Sequence, residues 1–291
     1  MNKRFIGSTL LLTSAVIYGL YGIFSRYVSE FGSFSQSWVR SSIVLFVILL
    51  IMVFKKFKWQ KIQKYDIKWF LIWILPASFQ PVITFMAFNH LPLGTAYFLI
   101  YSTMILGGMV SGKIFFSEKL SSSKILSLIL VFIGLFLIYK SDITLVKSIY
   151  VLFALFSGLL VGFWNTLTKK VSGKYSEFQM MSLDQSATLM VCLIGSVVAG
   201  EKLPPLSQYH IWIWLLIFAL STVVTIFLLI RGFKYVEAQV GSLILPMEIV
   251  FASIFGYLIF KEILKTNIYL GGLFILVAAL LPALKFPKKN D

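Results

Sequence analysis

Long apolar runs, separated by short polar or basic segments, organise the whole chain. Ten of them can be read, at residues 7–24, 38–54, 69–88, 93–112, 120–139, 148–167, 178–199, 211–230, 238–260 and 268–284. A helix that crosses the ~30 Å hydrocarbon layer at 1.5 Å per residue needs roughly 20 mainly apolar residues, and each run approaches that length. None alternates with a period of two, so the pattern excludes a β-barrel. The fold class it predicts is all-α, a polytopic membrane protein with ten transmembrane helices. Lys3 and Arg4 precede the first run, which exceeds a signal-peptide core and ends in Tyr21-Gly22-Ile23-Phe24-Ser25-Arg26 with no small-x-small cleavage site. It is expected to be a retained helix.

Composition narrows this further. Apolar residues make up 59% of the 291 and charged ones 13%, about half the charge of a soluble domain. The same numbers exclude a disordered chain. One cysteine, Cys192, and two distant histidines, His90 and His210, provide neither a disulfide nor a metal-ligand spacing. No cofactor and no metal site is expected.

The net charge of +15 is distributed along the loops rather than gathered on a face. With a cytoplasmic N-terminus, 19 Lys and Arg fall on the cytoplasmic side and 7 on the other. The positive-inside rule then puts both termini in the cytoplasm of a plasma-membrane protein. The densest cluster, Lys55 to Lys68, reads as a topology anchor beside lipid headgroups. Such dispersion argues against a nucleic-acid partner.

A shift of 144 residues aligns the two halves. Phe116-Ser117-Glu118-Lys119-Leu120 falls on Phe260-Lys261-Glu262-Ile263-Leu264, Leu93 to Ala96 falls on Glu237 to Val240, and Arg40 falls on Asp184. Residues 1–143 and 144–291 are therefore expected to form two five-helix units. Five is odd, so the second unit must enter the membrane with opposite polarity. That is the inverted repeat of secondary transporters, whose substrate site lies near the midplane between the halves.

The stretches Phe85-Met86-Ala87-Phe88-Asn89-His90-Leu91-Pro92-Leu93-Gly94-Thr95-Ala96 and Phe233-Lys234-Tyr235-Val236-Glu237-Ala238-Gln239-Val240, with Glu118 and Glu262 closing the fourth helix of each unit, resemble the EamA type of the drug/metabolite transporter superfamily. Arg40, early in the second span, is similar to that pattern too. The resemblance covers essentially the whole chain. It implies a ten-helix transporter whose first, third and fourth spans and their repeat mates line the cavity. One departure stands out. Such proteins often carry Glu-Pro in the ninth span, whereas here Pro246 precedes Glu248 by two residues.

Charges inside a bilayer are costly and usually face a cavity or a partner. Glu248, near the midplane of its span, is expected either to line the cavity, binding a cation or carrying a proton, or to be a structural acid beside the Pro246 break. Arg40 and Asp184 are expected nearer helix ends, at opposite depths, and not paired with each other. Arg40 reads as an anchor to carbonyls near the outer surface. Glu118 and Glu262 read as helix caps, with gating as the second reading. Tyr18, Tyr21, Gln80, Tyr97, Tyr101, Trp164, Asn165 and Gln239 supply the remaining candidate cavity wall. Gly108-x-x-x-Gly112 and Gly158-x-x-x-Gly162 read as close-packing motifs.

The function expected is secondary active transport, outward, of a small organic metabolite or drug, with lipid as surroundings and a proton as candidate coupling ion. An integral membrane enzyme acting on a lipid is the alternative. It would need clustered acids, a histidine or a nucleophile at one membrane face, and the acids here are scattered. A channel would need polar rings along a pore, which so few intramembrane charges do not supply.

Overall fold

The structure is a computed structural model that describes residues 3–56, 59–91, 93–140, 143, 149–261 and 265–283. Its helices are α1 Lys3–Tyr18, α2 Tyr21–Tyr27, α3 Ser33–Phe54, α4 Lys64–His90, α5 Leu93–Phe116, α6 Ser122–Tyr139, α7 Ile149–Val171, α8 Glu177–Val198, α9 Tyr209–Tyr235, α10 Ala238–Ile244, α11 Met247–Phe260 and α12 Thr266–Leu280. No strand occurs among the described residues. Nine spans there are long and apolar enough to cross a membrane, with α1–α2 and α10–α11 each counting as one. The tenth, α12, is apolar but has only 15 residues and packs along α6.

The outer faces confirm the solvent. Phe54, Ile114, Val198 and Leu273 are among many large apolar side chains left exposed around the bundle. A water-soluble protein rarely shows contiguous apolar area on that scale. Lipid supplies the missing partner.

Helix packing is symmetric about an exchange of the two halves. The mates α3 and α8 pack together, as do α6 and α12. The α1–α9 contact has its counterpart in α4–α7, α4–α8 in α3–α9, and α5–α7 in α1–α11. The Ser41 hydroxyl donates to Gln185 Oε1 at 3.0 Å, a pair 144 residues apart. Residues related by the repeat shift thus touch each other, which places a pseudo-two-fold axis between α3 and α8. Small residues allow the tightest pairing, α5 against α7. A Cβ on Gly107 would come within 3.0 Å of the Leu159 carbonyl, and one on Gly162 would run into the backbone of Met104 and Gly108.

Two spans are broken. The ninth turns at Leu245-Pro246, where proline removes an amide donor. The first turns at Gly19-Leu20. There the chain presses on α11, and a Cβ on Gly19 would lie 2.9 Å from the Ala252 nitrogen and the Phe251 Cβ. Residues beside both breaks, Tyr18 and Tyr21 on one and Leu245 and Glu248 on the other, line a common cavity.

Helix α3 begins at Ser33, five residues before the apolar run that marks it in the sequence. Its polar first turn is held from the other half. Glu201 accepts the Phe34 amide at 3.1 Å on Oε1 and the Ser35 amide at 2.6 Å on Oε2. These two amides lack intrahelical acceptors, so a carboxylate there stabilises the helix start.

Candidate functional site

The broken helices border a cavity of about 380 Å³ at the heart of the bundle, lined from both halves. Eight of the nine cavity candidates reach it: Glu248, Tyr18, Tyr21, Gln80, Tyr97, Tyr101, Trp164 and Asn165. Glu248 sits in the first turn of α11 just past Pro246, and its Oε1 accepts the Tyr101 hydroxyl at 2.8 Å. The break therefore sets this carboxylate at a helix N-terminus, where the aligned amide dipoles favour negative charge. The Gln80 amide donates to Thr84 Oγ1 at 2.6 Å, and a hydrogen bond of 2.5 Å joins the Thr84 and Ser157 hydroxyls.

Arg40 and Asp184 line this cavity as well. Asp184 is dressed with donors, Trp164 Nε1 at 2.9 Å on Oδ1 and Gln185 Nε2 at 2.9 Å on Oδ2. Among the described residues Arg40 is tied to no carbonyl. Its guanidinium lies 4.4 Å from the Phe218 ring centroid and 6.0 Å from that of Tyr21. No ion pair joins Arg40 to Asp184 among the described residues. The anchor expected for Arg40 is thus replaced by a cation–π wall position.

Gln239 is the candidate that does not belong. It is the second residue of α10, nine residues or about 13 Å before Glu248 at helical rise. There its Oε1 accepts from Lys124 Nζ at 2.7 Å and its amide reaches the Met109 carbonyl at 3.3 Å. It belongs to a polar seal at the lysine-rich end of the bundle.

Glu118 is the centre of that seal. Its carboxylate accepts the Ala238 amide at 2.7 Å and the Gln239 amide at 3.0 Å, capping α10 from the opposite half, and pairs with Lys169 at 3.0 Å. Lys124 adds an ion pair to Glu237. Behind them Thr166 donates to Ser111 at 2.6 Å, and Phe115 meets Phe163 edge-on. At the other end, a second hollow of about 460 Å³ shares Tyr18, Tyr21, Tyr97, Tyr101 and Glu248 with the first and continues past Arg26, Tyr139 and Phe260. The cavity is closed at one end of the bundle and leads on at the other. Glu262, the repeat mate of Glu118, lies outside the described residues.

Gln185, noted beside Asp184 in the sequence, is in the wall, and so are Gln36, Ser37, Thr84, Thr188 and Thr222, which were not singled out there. Thr84 stands one turn from Gln80, which is a usable signal. Gln36 and Ser37 precede the apolar run and carry none. The two histidines are elsewhere. His90 stacks on Tyr150 with centroids 3.7 Å apart. Among the described residues no three His, Cys, Asp or Glu side chains gather as a metal site.

No curated protein matches the chain. One solved crystal structure superposes with a TM-score of 0.82 at 10% identity, covering 96% of this chain and 97% of the other. That likeness shows the fold alone. The model of the EamA-like transporter family matches twice, over residues 5–140 and 148–283, once for each half of the two-fold bundle just described. With the apolar spans and the family match together, this chain is a multi-pass membrane protein that belongs to the EamA-like transporter family.

Proposed function

We propose that this chain is a secondary active transporter that exports a small organic metabolite or drug across the plasma membrane by alternating access. The carrying observation is the cavity lined by both halves, shut at the lysine-rich end and continuing toward the lysine-poor end. A two-fold repeat gives that asymmetry a physical meaning. One half holds the arrangement that the other takes up in the opposite state, so exchange moves the opening from one face to the other. The 1–143 and 144–291 units are the bodies that exchange. With the 19 to 7 lysine and arginine bias, both termini are cytoplasmic and the state described faces outward.

Glu248 is the acid we assign to the substrate or to a coupling proton. It is the carboxylate that both hollows share, and among the described residues Tyr101 donates to it. The test is uptake of a labelled metabolite panel into inside-out membrane vesicles, with the accumulated compound recovered and weighed by mass spectrometry. Export predicts accumulation of an unaltered compound. Recovery of a chemically altered product would favour the enzyme reading instead.

A further inference from the structure

We infer that the lysine-rich ends of α4, α5 and α7 form a site for one anionic phospholipid. Lys68 and Lys170 hold its phosphate, and its acyl chains follow α7 into the bilayer. The site lies on the outside of the bundle, away from the cavity, and does not rest on the transport reading.

The headgroup end is built on two rings. Lys170 Nζ lies 4.8 Å from the Trp69 ring centroid and 4.8 Å from that of Phe116. Lys68 Nζ reaches Trp69 at 5.4 Å, and Lys169 Nζ stands 5.1 Å from Phe116. Each cation gains some attraction from the ring beneath it. The shared rings also keep Lys170 within about 10 Å of the other two ammoniums. That is close to the Debye length of about 8 Å at physiological salt, so their repulsion is only partly screened.

The carboxylates at this end are engaged elsewhere. Glu118 pairs with Lys169, Asp66 with Lys174, Glu237 with Lys124 and Glu177 with Arg231. Among the described residues no ion pair reaches Lys68 or Lys170. Lys113, one turn before Phe116, adds exposed positive charge at the rim. An anion from outside the chain would answer these lysines.

A groove says which anion. Helices α4 and α5 both pack on α7 and scarcely touch each other, so a strip of α7 faces lipid between them. Ile149, Phe156, Phe163 and Lys170 recur every seven residues, close to two helical turns, and fall on one face of α7. Ile149 and Phe156 are exposed and Phe163 is partly so. Phe115 meets both Trp69 and Phe163 edge-on, with centroids 5.9 and 6.1 Å away. Apolar rings thus lead from the ammoniums into the bilayer. A soluble phosphate would use only the charged end, whereas a phospholipid uses both. Tryptophan at headgroup level and a basic pocket between spanning helices suit that occupant.

The site belongs to one half only. The repeat shift relates Lys170 and Phe116 to Arg26 and Phe260, which also stack at 4.8 Å. It relates Lys68, Lys113 and Lys169 to Trp212, Tyr257 and Ser25. The fold keeps a cation on a ring at both faces, but the added lysines stand at one. Helix packing does not require them; a ligand of one leaflet does.

The test is native mass spectrometry on the delipidated full-length protein in dodecyl maltoside, with the thermal midpoint as second readout. Phosphatidylglycerol should bind at one saturable site and raise the midpoint. Phosphatidylcholine and the soluble headgroup glycerol 3-phosphate should each bind at least ~10-fold more weakly. Lys68→Gln with Lys170→Gln should weaken phosphatidylglycerol binding at least ~10-fold, and Lys68→Arg with Lys170→Arg should keep most of it. Lys55→Gln with Lys234→Gln removes two exposed charges from the same face, at the ends of α3 and α9, and should leave the affinity unchanged. Equal wild-type affinity for the two lipids would overturn the inference, whatever the variants do. So would an equal loss in both glutamine pairs, which is the mark of diffuse surface charge. Glycerol 3-phosphate binding as tightly as the lipid would remove the role of the groove and overturn it as well.

Discussion

Removing the carboxylate of Glu118 should unlatch the lysine-rich end. That side chain is 7% exposed and holds the Ala238 and Gln239 amides together with Lys169. Charge-assisted hydrogen bonds are worth about 1.5–3 kcal/mol, and cap-to-alanine changes cost about 0.5–2 kcal/mol. These describe overlapping physics and do not add, so Glu118→Ala is expected to cost the closed state about 2–3 kcal/mol. Once the end opens, the amides and the ammonium meet water, and little of that loss carries over. At 1.4 kcal/mol per factor of ten, the closed-to-open ratio falls roughly 30- to 150-fold. Ser111 sits in the seal behind Glu118, buried and bonded to Thr166. A Ser111→Cys reporter in a Cys192→Ser background would then react with a membrane-impermeant maleimide from the lysine-rich side at least ~10 times faster after Glu118→Ala. Glu118→Gln, which keeps an acceptor but not the charge, should fall between. An unchanged labelling rate in Glu118→Ala would refute the latch.

Other consequences are as direct. Glu248→Gln should abolish or uncouple transport while membrane expression persists, and wild-type flux in that variant would make Glu248 a structural acid. Gly162→Leu puts a side chain into the Met104 and Gly108 backbone, so it should cost at least ~1–3 kcal/mol and lower the unfolding midpoint clearly; an unchanged midpoint would contradict the α5–α7 contact. A reporter fused after Asp291 should fluoresce as a cytoplasmic fusion and give no alkaline phosphatase activity; the opposite pattern would overturn the orientation. In the loop between α7 and α8, Lys174 donates to the buried Asp66 carboxylate at 2.8 Å, and this bond raises the ammonium above its ordinary value. A raised base keeps its stabilisation at all pH below the unfolded lysine value of about 10.4 and loses it only as pH climbs through the folded one. The midpoint difference between wild type and Lys174→Met should accordingly stay constant from about pH 7 to 9; a difference that shrinks across that window would contradict the pairing.

What the sequence made legible follows from which physics is local. Apolar runs of membrane length, the 144-residue shift and the Pro246 break are each written in contiguous residues, and the helices, the two-fold packing and the turn at Leu245-Pro246 correspond to them. Helix starts fixed by the other half are not local. Glu201 caps α3 from across the axis, so Gln36 and Ser37 entered the cavity wall unannounced. The turn at Gly19-Leu20 arises from contact with α11 and has no proline to mark it. Gln239 and Glu248 occupy one span and look equivalent by composition, yet 13 Å of helix separates a seal from a cavity. Arg40 was legible as a costly charge near a helix end. Only the packed structure shows that no carbonyl among the described residues answers it.

A single cavity, shared by two interchangeable halves, should open to one side at a time. Counterflow measures that property. Proteoliposomes loaded with unlabelled substrate are placed in trace labelled substrate, and the label is followed over time. Alternating access predicts saturable uptake with a transient overshoot that disappears when the internal pool is removed. Linear, unsaturable entry with no overshoot would contradict it, since that is how an open pore behaves.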